Sequence, residues 1–132
     1  MKLRPLPLLA ALGASLVVAA PAVPATILSG KFRTVIRGQA QPLNGSWTLT
    51  IDQFTRSTLT HNGKLAVKGT FAGAKGRLAV VDISGPLACK GAERVAAYTY
   101  TLKNNLLTLK ATFDLCDGRK AVLTAHPLRK VG

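Results

Sequence analysis

From Ser29 onward the chain alternates apolar and polar residues with a period of two, and no stretch reads with the period of a helix. In Lys31–Gly38, Phe32, Thr34 and Ile36 alternate with Lys31, Arg33, Val35 and Arg37. In Gly45–Ile51, Trp47, Leu49 and Ile51 alternate with Ser46, Thr48 and Thr50. Such a pattern predicts half-buried strands, with one face in a core and the other in water.

Turn residues divide the pattern into hairpins. Asn62-Gly63 joins Arg56–His61 to Lys64–Ala72, because Asn-Gly tolerates the positive φ angles of a type I′ turn. In the second of these strands Leu65, Val67 and Phe71 are expected on one face, with Lys64, Lys68 and Thr70 on the other. Gly73-Ala74-Lys75-Gly76 turns into Arg77–Ile83, which Ser84-Gly85-Pro86 ends because proline cannot donate to a sheet ladder. Lys90–Arg94 reads as a loop. Tyr98–Lys103, Asn104-Asn105 and Leu106–Phe113 form a further hairpin, Asp114–Gly118 turns again, and Arg119–His126 reads as the last strand, stopped by Pro127. The fold class is therefore all-β: a single antiparallel up-and-down barrel of about eight strands, whose closure removes exposed strand edges.

The N-terminus reads as an export signal. Lys2 and Arg4 supply a positive start, Leu6 to Ala20 is apolar, and small residues offer cleavage after Ala22 or after Ala25. The apolar run is too short, and too bracketed by proline, for a bilayer span of roughly 20 residues. The domains are then residues 1–25, a signal peptide, and 26–132, the barrel, with a periplasmic or secreted location. Without residues 1–25 the chain keeps 107 residues with 16 basic and five acidic side chains, net +11. In an exported domain of this size the lone pair Cys89 and Cys116, 27 residues apart, is expected to form a disulfide. No CxxC or Cys/His cluster argues for a metal or redox role, so no metal or cofactor is expected.

Two sets of residues resemble a known group. Gly45-x-Trp47 followed by an antiparallel meander resembles the calycin superfamily, the lipocalins and their small relatives. Asp82-x-x-Gly85, Ala88-Cys89, Tyr98-x-Tyr100-x-Leu102, Leu107-Thr108-Leu109, Asp114-x-Cys116-x-Gly118-Arg119 and Leu123-Thr124 look like small exported bacterial lipocalin-like domains of largely unknown function. The resemblance spans roughly residues 45–126. It implies that Trp47 closes one barrel end against a basic side chain of the last strand, Arg119, with Arg129 as substitute. It also implies an apolar interior lined by Phe32, Trp47, Leu49, Phe71, Tyr98, Tyr100 and Leu109, which either admits a small ligand or is a solid core.

Catalysis has little support in the sequence, and the chain reads as non-enzymatic. His61, beside a turn, and His126, before Pro127, read as surface histidines without a nucleophile or base at triad spacing. Asp82, Asp114 and Asp117 read as turn caps or partners of Arg119, and Gly73–Gly76 joins strands where a phosphate loop would open a helix. An isoelectric point near 10.6 invites nucleic acid, but export argues for anionic polysaccharide or envelope surfaces. Arg33, Arg37, Lys64 and Lys68 are the candidate patch for such a surface. A calycin-type protease inhibitor is the other reading, with Thr26–Gly30 as the inserting segment.

Overall fold

The computed structural model describes residue 13, residues 26–40 and residues 42–132. The signal peptide and both cleavage points, residue 13 apart, lie outside the described residues. Eight strands form one closed antiparallel barrel in sequence order. They are β1 (Gly30–Ile36), β2 (Gly45–Ile51), β3 (Arg56–His61), β4 (Lys64–Ala74), β5 (Arg77–Ser84), β6 (Val95–Lys103), β7 (Leu106–Phe113) and β8 (Leu128–Lys130). Closure comes from β8, which pairs with Leu106 and Leu107 of β7 and with Phe32 and Arg33 of β1.

Three hairpins are built on two-residue turns with both residues at positive φ: Asn62-Gly63 at 51° and 80°, Lys75-Gly76 at 54° and 78°, Asn104-Asn105 at 52° and 62°. This is the type I′ geometry, whose twist matches that of the flanking strands. The period-two pattern places Phe32, Ile36, Leu49, Ile51, Val80 and Leu107 in one apolar core. Lys31, Arg33, Arg37, Lys64, Lys68, Lys103 and Lys110 are exposed. An apolar inside with a charged outside is the reverse of a transmembrane barrel. Among the described residues no helix is long and apolar enough to cross a membrane.

The expected last strand is not a strand. Residues Asp117–Thr124 form a helix, α1, and β8 follows it beyond Pro127. Arg119, Val122 and Leu123, at positions i, i+3 and i+4, are its buried residues. An eight-residue run that fits both periods is arbitrated by tertiary packing. Here α1 packs beside β7 and lays Val122 and Leu123 into the core. Lys90–Arg94, read as a loop, contains a 3₁₀ turn at Gly91–Arg94.

The two barrel ends are closed differently. At one end lie α1, the Asn62-Gly63 turn and the connections from β1 to β2 and from β5 to β6. At the other, Leu28 is buried and donates its amide to Gly73 O at 2.7 Å. The bridge between Ile27 and Ala74 ties the same segment down.

Irregularities in the ladders correct one expectation. A register shift at Leu59/Thr60 opposes Thr60 to Leu65 and Leu59 to Val67. Ala66 therefore turns inward and Leu65 outward, 40% exposed, out of phase with Phe71. The next bulge, at Lys68/Gly69, requires a glycine: a Cβ on Gly69 would lie 2.0 Å from the carbonyl oxygen of Val81. Replacing Gly69 with Ala is expected to cost about 2–3 kcal/mol, since backbone must move to admit the methyl. Urea unfolding measures it, and a loss under about 0.5 kcal/mol would mean the bulge relaxes freely.

Candidate binding cavity

Asp82 follows Leu78 and Val80 in phase on β5, so its carboxylate occupies an inward position where an apolar side chain belongs. Burying a carboxylate is unfavourable unless it is paired and hydrogen-bonded. Its partner comes from α1. The side chain of Arg119 is 4% exposed and contacts Asp82 Oδ1 from Nη1 at 3.2 Å. It also donates from Nε and Nη2 to the two oxygens of Asp114, at 2.9 and 2.7 Å. Nη1 and Nη2 further donate to the carbonyls of Arg94 and Glu93, at 3.0 and 2.7 Å. All five guanidinium donors are thereby engaged.

The carboxylates in turn hold the disulfide. Cys89 and Cys116 are bonded to each other. Asp82 Oδ2 accepts the Cys89 amide at 2.8 Å and Asp114 Oδ1 accepts the Cys116 amide at 2.9 Å. The hydroxyl of Tyr98 donates to Asp114 Oδ2. Burial alone raises the Asp114 carboxyl, but hydrogen bonds from Arg119, Tyr98 and the Cys116 amide, with the charge of Arg119, hold it below the usual range. Burial, with the neighbouring Asp114, pushes the Tyr98 hydroxyl well above its ordinary value. Burial opposes the charge on Arg119, yet Asp114 and Asp82 together raise its pKa.

Beside this cluster lies a cavity of about 160 Å³. Trp47, Leu59, Val67 and Phe71 wall it from the sheet, Val122 and Leu123 from α1, and Ser57, Asp82 and Arg119 supply its polar atoms. Leu43 and Cys116 also border it, and the exposed Pro42, Leu87 and Gly118 form its rim.

Trp47 is fixed by its surroundings. Its ring stacks on His61 at 3.9 Å and 11°, and Nε1 donates to Leu43 O at 2.8 Å. His61, expected at the surface, is half-buried, and its Nε2 donates to Asn44 O at 2.7 Å. His126 is exposed. Gly45, two residues before the tryptophan, has a φ of 128°, a backbone conformation that residues with a Cβ rarely adopt.

Of the interior residues read from the sequence, Trp47 and Phe71 line the cavity. Phe32, Leu49, Tyr98 and Leu109 are buried in the core, and Tyr100 packs half-buried against it. Trp47 and Arg119 border the same space, but Arg119 stands on α1, away from the last strand, and its charge is taken by Asp82 and Asp114. Arg129 is exposed on β8. Arg33 and Arg37 are separated from Lys64 and Lys68 by β2 and β3, roughly 14 Å at 4.8 Å per strand, so the four form no single cluster. Leu59, Val122 and Leu123 line the cavity without being singled out in the sequence: Leu59 faces inward in phase with Ser57 on β3, Val122 and Leu123 arrive with α1, and Val67 lies with Phe71 as expected. Asp82 carried a signal in its phase with Leu78 and Val80.

Replacing Arg119 with Met leaves two buried carboxylates without counter-charge and is expected to cost about 3–5 kcal/mol at pH 7. The wild-type Asp114 pKa lies below its unfolded value. Its contribution is therefore complete above the ordinary carboxylate pKa of about 3.9 and is lost as pH falls through the depressed one. In the variant the buried Asp114 carboxyl, without Arg119, favours protonation, so the deficit should narrow from pH 7 to pH 4. A deficit that stays constant in urea melts at the two pH values contradicts this linkage. Comparison with protein-family models, curated proteins and solved structures gives no match to this chain.

Proposed function

We propose that the chain is a non-enzymatic, exported protein of lipocalin-like type that binds a compact apolar molecule in the cavity under α1. The observation that carries this reading is the cavity: preformed, mostly apolar and rimmed by exposed residues at one barrel end. Its volume of about 160 Å³ lies below the several hundred Å³ of pockets for larger ligands. It is close to that of an engineered cavity in another protein that takes up benzene, so the ligand class is a neutral ring or short branched chain, smaller than a lipid.

The chemistry of the walls supports binding over turnover. Arg119, Asp82 and Asp114 satisfy one another, the cysteines are joined, and among the described residues no side-chain base is hydrogen-bonded to Ser57, the remaining polar group at the cavity. The disulfide accords with export, as does the reading of residues 1–25 as a signal. The inhibitor reading gains no support, because Leu28 pins the segment Thr26–Gly30 to the barrel.

Trp47, the single tryptophan, borders the cavity and reports its occupancy. Titration with bromobenzene is expected to quench Trp47 emission saturably through the heavy atom. Val67→Phe, which fills the space, should abolish the saturable quenching while leaving circular dichroism unchanged. Non-saturable quenching of the wild type, or an unaltered titration of a folded Val67→Phe, contradicts the proposal and leaves a structural accessory with a solid core.

A further inference from the structure

We infer that the cleft between β8 and β1 is a second site, binding a phosphate ester attached to an apolar body through Arg33 and Arg129. The inference is independent of the cavity under α1. Its origin is the shortness of β8, three residues long. Beyond Arg33, β1 has no β8 partner, and an open cleft of about 510 Å³ forms there. Val35, Leu106, Pro127 and Val131 give the cleft an apolar surface. Arg33 and Arg129 line the same cleft.

The two arginines are directly opposed across the β1–β8 ladder. Like charges at opposed positions destabilise a sheet, and this chain does nothing to relieve the repulsion. Its five acidic residues are all placed. Asp52 pairs with Arg56 at the turn between β2 and β3. Asp82, Glu93, Asp114 and Asp117 belong to β5, the 3₁₀ turn, the segment after β7 and α1. Among the described residues neither Arg33 nor Arg129 has a salt-bridge partner.

More positive charge surrounds the pair. Lys103 opposes Leu106, which opposes Arg129, so Lys103, Arg129 and Arg33 share one row across the sheet. Lys31 lies two residues from Arg33, roughly 7 Å along the strand. Arg33 is also held in place, since its Nε donates to Ser46 Oγ at 3.0 Å, leaving its terminal amines for an external acceptor. Paired guanidinium forks suit the oxygens of a phosphate. A phosphate monoester carries about two negative charges, matching the two opposed cations. The apolar surface beside them suits the esterified portion.

Such a group reaches the protein either as a soluble ester or as a lipid headgroup. Titration of the mature protein with dihexanoyl phosphatidic acid, below its micelle concentration, tests the site. Vesicles of phosphatidylcholine, with and without phosphatidic acid, separate the two sources. Saturable binding of the soluble ester is expected, with amide shifts at Val35, Leu106 and Val131, and at least tenfold weaker binding of inorganic phosphate. The double variant Arg33→Gln, Arg129→Gln should weaken the ester at least tenfold. The double variant Lys68→Gln, Lys110→Gln, which removes equal charge elsewhere, should stay within twofold of wild type. Retention on phosphatidic acid vesicles that is lost in the arginine variant assigns the lipid source; ester binding without vesicle retention assigns the soluble one. Equal weakening in both double variants, or no saturable ester binding, overturns the site.

Discussion

One guanidinium ties α1 to three parts of this barrel end: β5, the segment after β7 and the 3₁₀ turn. Arg119, on α1, reaches Asp82 on β5 and Asp114 after β7, and its remaining donors hold the 3₁₀ turn through two carbonyls. The carboxylates then fix the amides of both half-cystines. Desolvating three charges is costly, and an ion cluster of this kind is tolerable only when each hydrogen-bonding position is filled. That condition is met, since no buried side-chain nitrogen or oxygen among the described residues lacks a partner. Lysine could not replace Arg119, because three donors on one nitrogen cannot span five separated acceptors.

The cavity is a consequence of this arrangement. With the start of α1 tied to Asp82, Asp114 and the disulfide, Val122 and Leu123 enter the barrel from one end. Trp47 is held from the other side by His61 and Leu43 O. Neither wall is free to collapse onto the other, and the space between them persists. At the opposite end, among the described residues, there is no such ion cluster, and Leu28 is buried there.

Where turn chemistry and side-chain period agreed, the residues determined the structure directly. β2, β3 and β7 fall where alternation begins and ends, and Asn62-Gly63 and Asn104-Asn105 turn as their chemistry demands. Residues 119–126 were ambiguous because Ala121 and Leu123 satisfy a strand period, while Arg119, Val122 and Leu123 satisfy a helical one. Asp114 and Asp82, with Arg119 between them, decide for the helix through contacts that only the closed barrel creates. Leu65 was misplaced because a bulge shifts the phase of a strand without marking the sequence at that point. The cavity lining followed from the helix: Phe32, Leu49 and Leu109 face inward as Phe71 does, but of these only Phe71 lies level with the gap under α1.

The claim that the Arg119 cluster organises this end of the barrel is tested most directly by native-state hydrogen exchange at Cys89 and Cys116. Neither residue belongs to a strand, and their amides are held by Asp82 and Asp114. If the cluster is as rigid as the core, both should open only with an energy close to that of amides in the core strands, such as Leu49. Exchange at the rate of an exposed loop, while Leu49 stays protected, would show that the cluster opens independently of the barrel and would contradict the account.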